Sequence, residues 1–419
     1  MTLPTATMVA VTGQGGQAAL QELLTPEGRE LVDALTPYDA STALGRLEAV
    51  RRDPRWSQRP ELVAAAATQA RLRTRARARF PGAPRWWTPD GLEQATRPDV
   101  ADRHAARYVA AGITRVADLG CGAGSDALAM AAAGLAVECV DLDPDALWAA
   151  SATAADRGLS ITIRHGDIMT VPARWNLPSP DGPDDPFGCF VDPARRRGGA
   201  RALAAESWSP PWSWVRALAA RVPATGAKLA PGIDHALLPD GPQVEWVSVS
   251  GDLVEAAAWW GPLRQGPARR VATTLRDGVA VGLDDSDGVP QAAIGPVTGW
   301  LLEPDPAVIR AGLVSVLAER IDGHLLDPRI AYIAARGAPP ESPLAARFEV
   351  LDEVPFARKA MRSWLRQRGF GDVVVKKRGV NVVPEELRGA LRLEGAGPTA
   401  TLVLTRTDAG PLALLVERS

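Results

Sequence analysis

Four aspartates are the residues of this sequence whose placement could do chemistry. Asp118, Asp141, Asp167 and Asp192 stand at or just beyond the ends of four short apolar runs, Arg115–Leu119, Val137–Asp141, Ile161–His165 and Gly188–Val191. Such runs read as strands, and open α/β sheets hold their ligands at the C-terminal strand ends. Asp118 opens the pattern D-x-G-x-G-x-G through Gly120, Gly122 and Gly124, and the Ala-rich run from Ala127 to Ala131 then reads as a helix start. Glycine reaches positive φ and brings no Cβ to a ligand, and a helix N-terminus leaves N–H groups unpaired. The stretch is expected to be a strand, a ligand-contacting turn and a helix. A dinucleotide-binding turn wants G-x-G-x-x-G, and Ser125 stands where its third glycine would fall. A carboxylate two residues before the first glycine suits a ligand carrying an ammonium group.

The elements that must position these residues alternate strand and helix. A helix starts near Pro144, a Pro-rich loop runs from Pro172 to Pro186, and Ala227–Ala230 and Val244–Val249 read as later strands. The alternation predicts a doubly wound, mostly parallel α/β sheet. Residues 1–100 read as a helical domain with turns at Pro26, Pro37, Pro54 and Pro60, and a long helix runs from Pro60 to about Phe80. Its arginines fall into two stripes, Arg71, Arg75 and Arg79 against Arg73 and Arg77, because two residues advance about 200° on a helix. A solvated face and a phosphate-binding face fit that pattern equally. Trp86 and Trp87 are expected in the core, and an amphipathic helix over 98–111 leads into residues 101–300 as the central domain. Residues 301–419 read as a small α+β domain. It has helices over 306–321, 357–368 and 384–391 and strands over 347–351, 373–376, 401–405 and 412–417.

Composition bounds the function. A chain of 419 residues, 46% apolar, builds more than one core, and a formal charge of -2 rules out a globally basic nucleic-acid binder. Any such binding must be local. The three cysteines, Cys121, Cys139 and Cys189, have neither metal spacing nor a disulfide framework. They are expected to be buried thiols in a reducing compartment, with no metal site. No apolar run is long enough to span a membrane and no basic leader precedes an apolar core, so a cytoplasmic protein is expected.

The Asp118 to Asp126 stretch resembles motif I of the class I S-adenosylmethionine (SAM) dependent methyltransferases. The resemblance implies a Rossmann-like, seven-stranded sheet and SAM as cofactor. Carried over residue by residue, Asp141 matches the acid that takes the ribose hydroxyls. Asp167 matches the acid that receives the adenine amino group, with the Ile168 backbone nearby and Leu142 packing on the adenine face. Asp143 and Asp145 read instead as helix N-terminal acids. Asp192-Pro193-Ala194-Arg195 occupies the acceptor slot after the fourth strand, with Asp192, Pro193 and Arg195 as candidate catalytic residues. Amino-group methyltransferases acting on bases show a second proline and an aromatic residue there, and Ala194 and Arg195 depart from that. Ser209-Pro210-Pro211-Trp212 fits their pattern by letter but follows no strand, so it reads as the start of a helix rather than a site.

Over nearly its full length the chain resembles bacterial class I methyltransferases with a helical N-terminal extension and a C-terminal THUMP-like domain. The resemblance rests on Arg79-Phe80-Pro81, Trp86-Trp87-Thr88, Gln94-Ala95-Thr96-Arg97, Asp192 to Arg196, Lys228 to Gly232, Pro355 to Lys359 and Lys376 to Gly379. THUMP domains proper occur in RNA-modifying enzymes, which implies RNA as partner. The cations Arg358, Lys359, Arg362, Arg366, Arg368, Lys376, Lys377 and Arg378 crowd one short stretch, as phosphate contacts require. Of these Lys376, Lys377 and Arg378, together with Arg196, are the candidate RNA contacts. The expected reaction is in-line transfer of a methyl group from SAM to an exocyclic amine or hydroxyl, since no cysteine is placed to attack a pyrimidine ring. Two readings stand beside it: a SAM- or RNA-binding protein without catalysis, and a nicotinamide-dependent oxidoreductase, which the glycine spacing disfavours.

Overall fold

The computed structural model describes residues 16–419 apart from 83–84, 171–185, 194–195, 198–199, 202–204, 239–240, 394 and 408. It divides into two compact units: Met1–Leu229 with His235–Pro242 and Ala258–Arg264, and Ala230–Asp234 with Gln243–Ala257 and Gln265–Ser419. Among the described residues no helix is long and apolar enough to cross a membrane.

The first unit opens with helices α1 (Gly16–Glu22), α2 (Pro26–Leu35), α3 (Ala43–Arg52), α4 (Pro60–Ala76), α5 (Pro89–Gln94) and α6 (Pro98–Ala110). Four of these carry proline in the first turn, where its missing N–H costs nothing. Thr25 and Thr88 cap α2 and α5 through their hydroxyls. Then follow β1 (Arg115–Leu119), α7 (Ser125–Ala132), β2 (Ala136–Asp141), α8 (Pro144–Asp156), β3 (Ile161–His165), β4 (Phe187–Val191), the short pair β5 (Arg196–Arg197) and β6 (Ala200–Arg201), α9 (Trp212–Arg221) and β7 (Thr225–Leu229). β1 pairs in parallel with β2 and β4, β2 with β3, and β4 with β7.

Helices α2 and α4 share one core with α8, in which Leu31, Leu62, Leu72 and Trp86 meet Trp148 and Ala152. Trp86 and Trp87 are buried there, and the Trp86 indole N–H donates to Asp156 at 2.8 Å. The arginines in and just after α4 separate by role across both stripes. The Arg73 guanidinium lies over the Trp86 ring at 4.4 Å, and Arg79 donates to the carbonyls of Leu92 and Ala95. Arg71 and Arg77 are exposed. Two of the five arginines are thus structural, Arg73 by a cation–π contact and Arg79 by hydrogen bonds.

The second unit holds β8 (Gln243–Val249), most of β9 (Asp252–Trp259), β10 (Arg270–Arg276), β11 (Val279–Asp284), β12 (Trp300–Pro304), α10 (Pro306–Arg310), α11 (Val314–Arg320), β13 (His324–Asp327), β14 (Ile330–Ala335), β15 (Ala345–Val354), α12 (Arg358–Gln367), β16 (Asp372–Lys377), α13 (Pro384–Leu391), β17 (Thr399–Thr407) and β18 (Gly410–Arg418). The single helix expected over 306–321 is two, separated at Gly312 with φ 71°. Strand order in the larger sheet is β11-β10-β8-β9-β7-β4-β1-β2-β3. Seven of these strands are the expected Rossmann-like set, and β10 and β11 extend it. The smaller sheet runs β13-β14-β12-β15-β18-β17-β16. Its β17 is buried on both faces, Leu402 and Leu404 in one core and Val403 in the other, as a period of two requires.

Candidate cofactor and acceptor site

The turn from β1 into α7 is shaped by close backbone approach. Gly120 sits at φ 81°, and a Cβ there would lie 2.9 Å from the Asp192 carbonyl oxygen. Gly124 sits at φ 76°, and a Cβ there would meet the Ala150 methyl at 2.8 Å. Only glycine meets both demands at each position. The Gly122 N–H donates to Asp141 Oδ2 at 2.8 Å, and the Asp143 N–H donates to Asp141 Oδ1 at 2.8 Å. The two bonds fix the Asp141 carboxylate at the end of β2, and each of its oxygens has a second lone pair for a ligand. Burial pushes the Asp141 carboxyl up, against these backbone hydrogen bonds that favour its ionised form.

A cleft of about 280 Å³ opens over this turn. Six aspartates line it, Asp90, Asp126, Asp141, Asp143, Asp167 and Asp192, and among the described lining residues there is no lysine or arginine. Asp167 is oriented by accepting from the Met169 N–H at 2.9 Å. Leu142 is 59% exposed and Ile168 buried, and both line the cleft beside Ala146. Helix α5 contributes Asp90, Gly91 and Gln94. A cleft of this charge suits a cationic ligand and repels a pyrophosphate.

Of the residues singled out from sequence, Gly120, Gly122, Asp141, Leu142, Asp167, Ile168 and Asp192 are brought together here. Asp118, Gly124 and Pro193 are not among the described lining residues. Asp118 is 1% exposed and its Oδ2 has no hydrogen-bond partner among the described residues. Burial drives its carboxyl well above the ordinary range, helped by the charges of Asp126, Asp192 and Asp141. Enclosed in the core, it is favoured by burial in its protonated form. Strand β1 is flanked by β2 and β4, which is why its penultimate residue is enclosed. Arg195 lies outside the described residues, as does the side chain of Arg196. Ser209 lines the cleft immediately before α9, so the Ser209–Trp212 stretch is a helix start that also borders the site.

Four further residues form a buried chain behind Asp192. Lys228 Nζ donates to Asp192 Oδ2 at 3.0 Å, to Thr96 Oγ1 at 3.0 Å and to the Gln94 carbonyl at 3.2 Å. Thr96 in turn donates to Asp126 Oδ2 at 2.7 Å, and Asp126 Oδ1 meets His104 Nδ1 at 2.8 Å. Burial alone would raise the Asp126 carboxyl, but the His104 hydrogen bond and the charges of His104 and Lys228 hold it below its ordinary value. Sequence reading assigned none of these residues a role. The available signal was a lysine inside a strand whose five positions are all buried, and an acid in an otherwise apolar helix. Such charges are seldom buried unless paired.

The cationic candidates of the second unit are only partly free. Lys376 and Arg378 share Glu303, Arg378 at 3.4 Å, and lie over the rings of Phe348 and Tyr332. They are tied into an ion cluster with side chains 35% and 31% exposed, whereas Lys377, Arg358 and Lys359 are exposed outright. A groove of about 530 Å³ is lined by Arg329, Phe356, Asn381 and Arg406, among others. Buried Asp327 anchors both arginines from its floor, Arg406 at 3.4 Å and Arg329 at 3.8 Å.

Comparison with known proteins adds matches by region and over most of the chain. Residues 116–179 match a methyltransferase domain, 345–418 a THUMP domain-like family and 16–76 a domain of unknown function. The chain is 33% identical over 341 residues to an uncharacterised S-adenosylmethionine-dependent methyltransferase of Mycobacterium tuberculosis, found alike in strains CDC 1551 and H37Rv. The match covers 79% of this chain and 88% of the relative. In fold, the chain is similar to a crystal structure from Porphyromonas gingivalis W83 described as a methyltransferase, with a TM-score of 0.67 at 20% identity over 86% of this chain and 91% of the other.

Proposed function

The chain belongs to the S-adenosylmethionine-dependent methyltransferases, and from that premise we propose that it methylates RNA at an exocyclic amine or a hydroxyl. The observation that carries the cofactor part is the cleft lined by six aspartates. SAM supplies an activated methyl group on a positively charged sulfonium. In this reading Asp141 accepts from the ribose hydroxyls, Asp167 from the adenine amino group, and Leu142 and Ile168 hold the base between them. Gly120 and Gly122 let the backbone reach the ligand. Asp192, at the end of β4, accepts a hydrogen bond from the group to be methylated and aims it. Positioning of this kind is worth several powers of ten because the donor is already activated.

RNA as acceptor is supported by the THUMP domain-like match over 345–418 and by the exposed cations Arg358, Lys359 and Lys377. The groove between Arg329, Arg406 and Phe356 offers guanidinium groups for phosphate and a ring for a base. We take residues 1–100 as a helical cover, 101–300 as the transferase domain, 301–419 as the RNA-holding part, and the cytoplasm as the place of action.

The deciding experiment incubates the protein with methyl-labelled SAM and separate pools of cellular RNA, small metabolites and protein. Label in the RNA pool alone is the expected result, and label confined to another pool overturns the RNA assignment. Asp192→Ala should lose transfer while SAM still binds in calorimetry; loss of SAM binding in parallel would move Asp192 to the cofactor site. SAM binding without label in any pool is the outcome expected of a protein that binds but does not catalyse.

A further inference from the structure

Lys228 has a geometry that a merely structural lysine does not need. An ammonium group has three N–H donors. Here they go to Asp192 on the acceptor side of the cleft, to the Gln94 carbonyl at the end of α5, and to Thr96. Thr96, which accepts from Lys228, donates its own O–H to Asp126 in the first turn of α7. The Lys228 side chain is 7% exposed and that of Asp192 27%, so the pair joins a buried cation to a carboxylate that still reaches the cleft. Among the described residues, Asp126 on α7 is set against Lys228, with His104 on α6 bonded to it, and Asp118 on β1 is set against Asp192. Asp126 is held in its ionised form, and without Lys228 its charge would work against a negative charge on Asp192.

We propose that Lys228 is the positioning residue of the acceptor site: it keeps Asp192 ionised and fixed in direction, and through Thr96 and Asp126 it ties the acceptor carboxylate to the helix that follows the glycine turn. This rests on reading Asp192 as the residue that orients the acceptor. It has a chemical consequence. A carboxylate held by a buried ammonium is a weak base and a good hydrogen-bond acceptor, so the site favours an acceptor that keeps its N–H or O–H while it is being aimed. A group that must first surrender its proton to Asp192 is disfavoured.

The test uses the full chain and the variants Lys228→Met, Lys228→Arg and Asp192→Asn. With carbon-13 in the aspartate carboxyls, the Asp192 resonance is identified by its loss in Asp192→Asn and followed by NMR as pH is lowered. Its midpoint should rise by about one pH unit or more in Lys228→Met and return toward wild type in Lys228→Arg. With labelled SAM and total cellular RNA, Lys228→Met should lose turnover by roughly a hundredfold while SAM affinity shifts by no more than about threefold. The double variant with Asp192→Asn should be no worse than Asp192→Asn alone. An unmoved midpoint in Lys228→Met, or losses that multiply in the double variant, would overturn the proposal. Full activity in Asp192→Asn would instead remove the acceptor reading beneath it. An inactive Asp192→Asn beside a fully active Lys228→Met sinks the role of Lys228 alone. If wild-type protein places no label in RNA, the RNA assignment fails, and the NMR midpoint still decides whether Lys228 sets the charge on Asp192.

Discussion

Asp118 and Asp141 end neighbouring strands and differ in what surrounds them. Asp141 is held by two backbone N–H groups and reaches the cleft; Asp118 is enclosed. Asp141→Ala should therefore weaken SAM binding by several-fold to about a hundredfold, since a hydrogen bond to a charged group is worth about 1.5–3 kcal/mol. Calorimetry on the folded variant checks this, and unchanged affinity would remove Asp141 from the site. Because burial raises the Asp141 carboxyl, SAM affinity should begin to fall at a higher pH on the acid side than an ordinary aspartate would give. Asp118 makes the opposite kind of prediction. Its folded pKa lies above its unfolded value, so its contribution to stability is full below the unfolded pKa and is lost as pH rises through the folded one. Asp118→Asn should consequently raise the melting temperature near neutral pH, with the gain vanishing below about pH 4. A variant less stable at neutral pH would show that Asp118 is held ionised. Strand-end position was legible in the sequence for both acids, but enclosure depends on the strands and helices packed around β1, which periodicity does not reveal.

At the scale of elements, the sequence exposed what local chemistry decides. β1, β2, β3 and β4 follow from apolar runs, glycines and prolines, and their observed bounds lie within a residue of expectation; α8 starts at Pro144 as expected, and α7 starts at Ser125, two residues before the expected Ala127. Strand β9 escaped because Ala256, Ala257 and Ala258 favour helix locally and become strand only when buried between β7 and β8. The β10–β11 hairpin left a readable mark, Asp277-Gly278, both at positive φ as a tight hairpin turn requires. The Lys228 chain needed α5, α6, α7 and β7 together, and no window of sequence holds all four. For the glycine turn the prediction is steric. Gly120→Ala should cost roughly 1–2 kcal/mol from the left-handed backbone alone, with more from contact with the Asp192 carbonyl. It should also weaken SAM binding; a variant of wild-type stability and affinity would mean that the turn can adopt another path.

For the whole molecule, the balance of charge matters more than its sum. The chain is nearly neutral, yet Arg358, Lys359 and Lys377 stand exposed in the THUMP-like part. Reversing these three to glutamate should flatten the salt dependence of RNA binding by roughly two to three units of slope, leaving base preference intact. Filter binding across a salt series measures it, and an unchanged slope would exclude them as phosphate contacts. Reversing Lys376 or Arg378 should act differently, lowering stability by unpairing Glu303.

Strand β9 carries a consequence for how the protein comes into being. Its first six residues, Asp252–Ala257, count with the second unit and its last two with the first, and Gln243–Val249 of the second unit precedes them both. The first unit thus waits for Ala258–Arg264 before it is whole, although its glycine turn leaves the ribosome far earlier. Vectorial synthesis cannot finish one unit and then begin the other, as chains with consecutive domains do. A released chain ending shortly before residue 258 should remain protease-sensitive over β7, and one ending a few residues beyond 264 should protect it.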